Sequence, residues 1–142
     1  MKILLLGAGG REHAIAWKLS QSPKCEKLFI APGNPGTAKC GTNVQMSATD
    51  FPAIAKFISE NNIDLVVVGP EEPLVKGVTD FLKNDPLTKN VKIVGPSTEG
   101  AKLEGSKDYA KAFMMRHGVP TAAYGTFTKE TLSNAIAFLH TL

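Results

Sequence analysis

Apolar and polar positions along this chain switch repeatedly between a period suited to strands and one suited to helices. Lys2 to Leu6 is a short apolar run closed by glycines, and it reads as a buried strand. Helical spacing follows through His13, Ala14, Trp17 and Leu19, between a glycine-rich start and a stop at Ser22-Pro23. Lys27 to Ala31 predicts a second strand, ended by Pro32-Gly33-Asn34-Pro35-Gly36, and Val44 to Met46 a weaker one. Asp50 suits the N-cap of a helix with Pro52 in its first turn and Ile54, Phe57 and Ile58 on its apolar face. Asp64 to Val68 is dense in β-branched residues and closes on Gly69-Pro70, the clearest strand of the chain. Leu74, Val75, Val78, Phe81 and Leu82 return to helical spacing, and Val91 to Val94 predicts another strand before Gly95-Pro96. Strands with almost no polar positions, alternating with helices, predict a parallel sheet covered on both faces. The expected architecture is α/β, a doubly wound parallel sheet.

The pattern changes after Gly105. Ser106 can cap a helix from Lys107 to His117, stopped by Gly118 and Pro120. Tyr124 to Phe127 is expected as a strand, and Leu132, Ile136 and Leu139 line one face of a last helix that meets no stop signal before Leu142. The chain therefore reads as one domain followed by a second unit that is cut short.

Composition narrows the class. The chain has 142 residues, 43% of them apolar and 20% charged, as in soluble globular proteins. Sixteen Lys+Arg against thirteen Asp+Glu leave a net charge of +3 with no basic run, which argues against nucleic acid as a partner. No apolar stretch approaches the ~20 residues that span a bilayer, so no membrane role is expected. The opening run stops at Gly7, too early for a signal peptide. Cys25 and Cys40 form neither a metal pattern nor a disulfide framework, which points to a reduced, cytoplasmic protein.

In an open parallel sheet, ligands bind beyond the carboxyl ends of the strands. The loop Gly7-Ala8-Gly9-Gly10-Arg11-Glu12 lies there, at the start of the first helix. Glycines admit an anion close to the backbone, the helix end offers N–H groups, and Arg11 adds a planar donor. The same glycines also suit a turn needed only for tight packing. A dinucleotide fingerprint is excluded, because Glu12 stands where its last glycine or alanine belongs and no acidic residue closes the second strand. The loop Pro32 to Thr37 is rigid, with Asn34 and Thr37 able to bond a sugar or phosphate, yet its composition fits consecutive turns equally well. Glu71 and Glu72 follow the Asp64–Val68 strand, placed for a ribose hydroxyl or an amine, or for simple charge complementarity at a helix start; Glu71 is the better candidate for a ligand. His13 reads as a packed residue. Lys107 sits early in its helix, where a cation is disfavoured, and spacing alone assigns it no role.

Together these segments resemble one family. The matching stretches are Gly9-Gly10-Arg11-Glu12-His13-Ala14 through Leu19, Ala31-Pro32-Gly33-Asn34 with Gly36-Thr37-Ala38, Val66 to Glu71 with Pro73-Leu74, Leu103 to Lys107, and Arg116 to Ala122. They are similar to the N-terminal part of the glycinamide ribonucleotide synthetases, the phosphoribosylamine–glycine ligases of the ATP-grasp superfamily. The resemblance implies a Rossmann-like pre-ATP-grasp domain over residues 1–104 and the beginning of an ATP-grasp domain over 105–142. It implies a ligase of de novo purine synthesis that joins phosphoribosylamine to glycine through a glycyl phosphate. Gly9, Gly10, Arg11, Asn34, Gly36, Thr37 and Glu71 would then face the phosphoribosylamine, and Lys107 a phosphate of ATP. Pro35 and Glu72 depart from the family's small residues. ATP with Mg or Mn is expected to serve the complete enzyme, with neither held stably by these residues alone. No catalytic residue or metal ligand is assigned, and the chain by itself is expected to be inert, as a monomer or weak dimer. A stand-alone sugar-phosphate or nucleotide-binding module is the alternative.

Overall fold

The computed structural model describes residues 1–141, which fall into two compact units, residues 1–101 and 102–141. The first is built on a five-stranded parallel sheet. Its strands are β1 (Lys2–Gly7), β2 (Lys27–Pro32), β3 (Thr42–Asn43), β4 (Leu65–Val68) and β5 (Lys92–Val94), in the order β3-β2-β1-β4-β5. In β1 the side chains of Leu4 and Leu6 join one core, and those of Ile3 and Leu5 the other. Every strand residue from Ile3 to Leu6 is therefore buried, which is why the run carries no polar position.

One face is covered by α1 (Gly10–Ser20), through Ala16, Ile15 and Leu19, against Ile3, Leu5, Leu28 and Ile30. The other is covered by α2 (Phe51–Asn61), α3 (Glu71–Val75) and α4 (Val78–Asn84), through Ile54, Ile58, Leu74, Val78 and Leu82. Asp50 caps α2 as expected, its carboxylate accepting the Ala53 N–H at 3.1 Å.

The differences from the sequence-based expectation have local causes. The helical spacing from Leu74 to Leu82 is split into α3 and α4, because Gly77 adopts φ +94 and turns the chain between them. The weak strand lies at Thr42–Asn43 rather than at Val44 to Met46, although the Val44 N–H still bonds Ile30 O at 2.8 Å. A helix α5 (Thr98–Gly105) stands where none was expected, since Gly100 and Gly105 and a single buried residue, Ala101, hide its period.

In the second unit, α6 (Lys107–Arg116) starts at Ser106, whose hydroxyl accepts the Tyr109 N–H at 3.2 Å. Tyr124 to Phe127 is not a strand: among the described residues of this unit no extended neighbour bonds it, and a strand exists only by pairing. The segment is held by side chains instead, with Thr126 bonded to Asp108 and Phe127 packed on Phe138 at 5.7 Å between ring centres. The last helix, α7 (Leu132–Leu139), leaves Leu132, Ile136 and Leu139 exposed.

Candidate functional site

The strand order reverses direction beside β1. From β1 the chain winds outward through β2 and β3, then crosses back to β4 and β5 on the opposite side. The loops leaving β1 and β4 at their carboxyl ends therefore diverge, opening a crevice where such sheets bind ligands. The loops after β1, β2 and β4 meet there.

Glu12 organises the centre of this crevice. Its side chain is buried, with one carboxylate oxygen accepting the Gly9 N–H at 2.6 Å and the other accepting Arg11 Nε at 3.1 Å. The bond to Gly9 is the half of a capping box that a glycine N-cap permits. Three glycines make room for the carboxylate: a Cβ at Gly7 or Gly69 would fall 2.5 Å from Glu12 Cγ, one at Gly9 would fall 2.9 Å from Glu12 Oε2, and Gly7 also has φ +126. Glycines at the end of β1, just before α1 and just after β4 are thus needed by one side chain. Gly10 opens onto space, with nothing within 4 Å of where a Cβ would stand. As the first residue of α1 it carries an amide that has no acceptor within the helix.

Arg11 reaches across the crevice. Its Nε faces Glu12 and its Nη2 lies 3.6 Å from Glu71 Oε2, so one guanidinium links the loop after β1 to the start of α3. The side chains of Arg11 and Glu71 are 55% and 53% exposed, so both remain within reach of a ligand. Glu72 has a different use, as its carboxylate pairs with Lys76 Nζ at 2.7 Å along the helix.

Asn34 ties the second loop to the first. Its amide nitrogen donates to Ala8 O at 2.8 Å, and its oxygen accepts the N–H groups of Gly36 and Thr37 at 2.7 and 3.0 Å. Thr37 is fully buried, its hydroxyl accepting the Asn34 N–H at 2.7 Å and lying 2.8 Å from Asn43 Oδ1. Gly36 passes so close to His13 that a Cβ would stand 2.7 Å from the imidazole, which gives His13 a packing role. Of the residues singled out from the sequence, Gly10, Arg11 and Glu71 thus present themselves to the crevice. Gly9, Asn34 and Thr37 spend their polar groups on holding the loops. Lys107 belongs to the second unit, exposed at the first position of α6.

Sequence reasoning missed two contributors. Beyond its place in the first matching stretch, Glu12 reads in sequence as a departure from the dinucleotide pattern, although a glutamate three residues after an N-cap is a capping signal. Asn43, which bonds Asn34 O at 2.8 Å, has no local signature at all.

An open parallel α/β sheet covered by helices on both faces, with an arginine between two carboxylates at its switch point, defines a Rossmann-like domain of the doubly wound class. Within it, residues 1–104 match the family described as "Phosphoribosylglycinamide synthetase, N domain". The chain belongs to that family. It is 49% identical over 141 residues to the phosphoribosylamine–glycine ligase of Escherichia coli O157:H7, covering 98% of this chain and 32% of that protein. The Haemophilus influenzae protein of the same name is 52% identical over 131 residues, or 91% of this chain and 30% of its own. The crystal structure of the Thermotoga maritima phosphoribosylamine–glycine ligase superposes with a TM-score of 0.68 at 32% identity, covering 97% of this chain and 30% of that one. The chain thus spans about a third of the length of these relatives.

Proposed function

We propose that this chain supplies the amine-substrate side of an ATP-dependent ligase joining 5-phosphoribosylamine to glycine, with glycinamide ribonucleotide, ADP and phosphate as products. The observation that carries this reading is Arg11 held between Glu12 and Glu71 at the mouth of a switch-point crevice. Arg11 and the Gly10 amide at the start of α1 suit a phosphate ester, and Glu71 suits the amine at the other end of the same small molecule. Three charged groups with a net charge of one negative favour a ligand that brings both a phosphate and an amine over a bare polyanion.

In the reaction, the glycine carboxylate attacks the terminal phosphorus of ATP, releasing ADP and leaving glycyl phosphate. The amine nitrogen then attacks the carbonyl carbon, the bond to the phosphate oxygen breaks, and the amine gives up a proton. Glu71 would orient the amine and hold a proton on its carboxylate. Arg11 would fix the far end of the substrate, so that attack proceeds from a set position. Lys107 is the residue offered to a phosphate of ATP. Mg or Mn calls for converging carboxylates, and among the described residues no group of three or more His, Cys, Asp or Glu is placed to hold a metal. No step is therefore assigned to a metal here. The free cysteines Cys25 and Cys40 suit a reducing cytoplasm. Among the described residues, no helix is long and apolar enough to cross a membrane.

Calorimetric titration with glycinamide ribonucleotide, beside NADH, tests the reading. Binding of the ribonucleotide that is lost in Arg11→Ala is expected, with no heat from NADH. Binding of NADH, or ribonucleotide binding indifferent to Arg11, would overturn it.

A further inference from the structure

Glu12 is a buried carboxylate that the proposed reaction does not use. Nothing in the reaction requires an acid at this depth, and a glycine or alanine would close the turn with less desolvation. Yet three glycines crowd it, Gly7 at the end of β1, Gly9 before α1 and Gly69 just after β4. Its stem fits between Gly7 and Gly69, its Oε2 takes the Gly9 N–H, and its Oε1 takes Arg11 Nε.

Two consequences follow from this geometry. With Nε committed to Glu12, the guanidinium is turned about one fixed edge, and its Nη2 is carried toward Glu71. Long side chains lose rotamer freedom when they bind, so an arginine already fixed at Nε loses less on meeting a phosphate. The second consequence is exclusion. In a dinucleotide site a diphosphate approaches the glycine loop at the helix start. Here the Gly9 N–H is already bonded by an anion, and the adjacent space is filled by a negative carboxylate.

We propose that Glu12 is the positioning and specificity residue of this crevice: it pins Arg11 for a single phosphate ester and rejects a diphosphate. The inference rests on the sugar-phosphate reading above and adds how that site selects its ligand.

Nuclear magnetic resonance of the labelled 142-residue chain tests the two layers separately. The Arg11 Nε–H is expected to exchange slowly with solvent, and at least roughly tenfold faster in Glu12→Gln, whose amide keeps the bond to Gly9 but offers no charge to Nε. Ribose 5-phosphate should shift the Gly10 and Arg11 amides, with affinity falling about tenfold in Glu12→Gln, the loss of one charge-assisted bond. ADP-ribose, a diphosphate, should bind at least about tenfold more weakly than ribose 5-phosphate to the wild type, and the gap should shrink in Glu12→Gln.

Arg11→Lys, at an exposed side chain, keeps the charge without the pinned Nε and should match the loss of affinity in Glu12→Gln. That result keeps the test open if the buried substitution unfolds the chain. An Arg11 Nε–H in the wild type that exchanges as fast as that of exposed Arg116 would overturn the proposal. So would a ribose 5-phosphate affinity untouched by both substitutions. A slow Arg11 Nε–H in a wild-type chain that ignores ribose 5-phosphate would instead refute the sugar-phosphate reading, and with it the selectivity argued here, while leaving the pinning intact.

Discussion

Replacing Gly69 by alanine tests the arrangement at its tightest point. The backbone at Gly69 does not require glycine, because its φ lies outside the left-handed region, so any effect comes from the added methyl. That methyl would stand 2.5 Å from both Cγ and Oε1 of Glu12 and 2.7 Å from Cδ. Glu12 cannot swing aside freely, since Gly7 bounds it on the opposite strand and its two oxygens are bonded to Gly9 and Arg11. The chain has two responses. It can shift backbone around an overpacked site at about 1–3 kcal/mol, or release Glu12 and lose charge-assisted bonds worth roughly 1.5–3 kcal/mol each. The cheaper response sets the outcome, so the expected loss is about 2 kcal/mol rather than the sum. For a unit of about 100 residues this lowers Tm by roughly 10 °C. Urea denaturation followed by circular dichroism reads it as a lower midpoint with an unchanged slope. Gly10→Ala is the internal control: the new methyl meets nothing within 4 Å, at a helical position where alanine gains up to about 1 kcal/mol over glycine. A Gly69→Ala chain within about 0.5 kcal/mol of the wild type, or a Gly10→Ala chain equally destabilised, would refute the placement of Glu12.

Two further outcomes follow from the same structure. Thr37→Val keeps the shape but removes the hydroxyl that accepts the Asn34 N–H and meets Asn43, and a loss of about 1–3 kcal/mol in urea is expected; unchanged stability would mean the loop does not depend on it. The Asp80 carboxylate is held below its ordinary value of 3.8, chiefly by the Thr98 hydroxyl and then by the Thr98 N–H. Its depressed pKa contributes stability that is complete above that ordinary value and is lost as pH falls through the folded value. Thr98→Ala should therefore flatten the acid limb of a stability–pH curve below about pH 4, and an identical limb in both proteins would remove Asp80 from it.

The sequence alone determined much of the scaffold, because the signals for it are local. Ile3 to Leu6 and Leu65 to Val68 carry too few polar positions for any solvent-facing strand, and Asp50 and Ser106 announce the helices they cap. The loops that carry the candidate site were legible for the same reason: their glycines, prolines and charges fall at the ends of strands whose direction a parallel sheet dictates. Where local signals were diluted, as by Gly100 in α5, or where a segment needs a partner to become a strand, as from Tyr124 to Phe127, the reading went astray.

Only the tertiary structure decided which loop residues stay open at the crevice and which are used to hold the loops. Asn34, Thr37 and Glu71 look equally available in sequence, but the first two are consumed by bonds to Ala8, Gly36 and Asn43, while Glu71 faces Arg11. The physical reason is distance along the chain. Glu12 and Gly69 are brought together only because β4 pairs with β1 on the side away from β2, and no periodicity in either segment records that pairing. A carboxylate's role depends on what surrounds it, and for Glu12 the surroundings come from two segments that the chain separates by more than fifty residues.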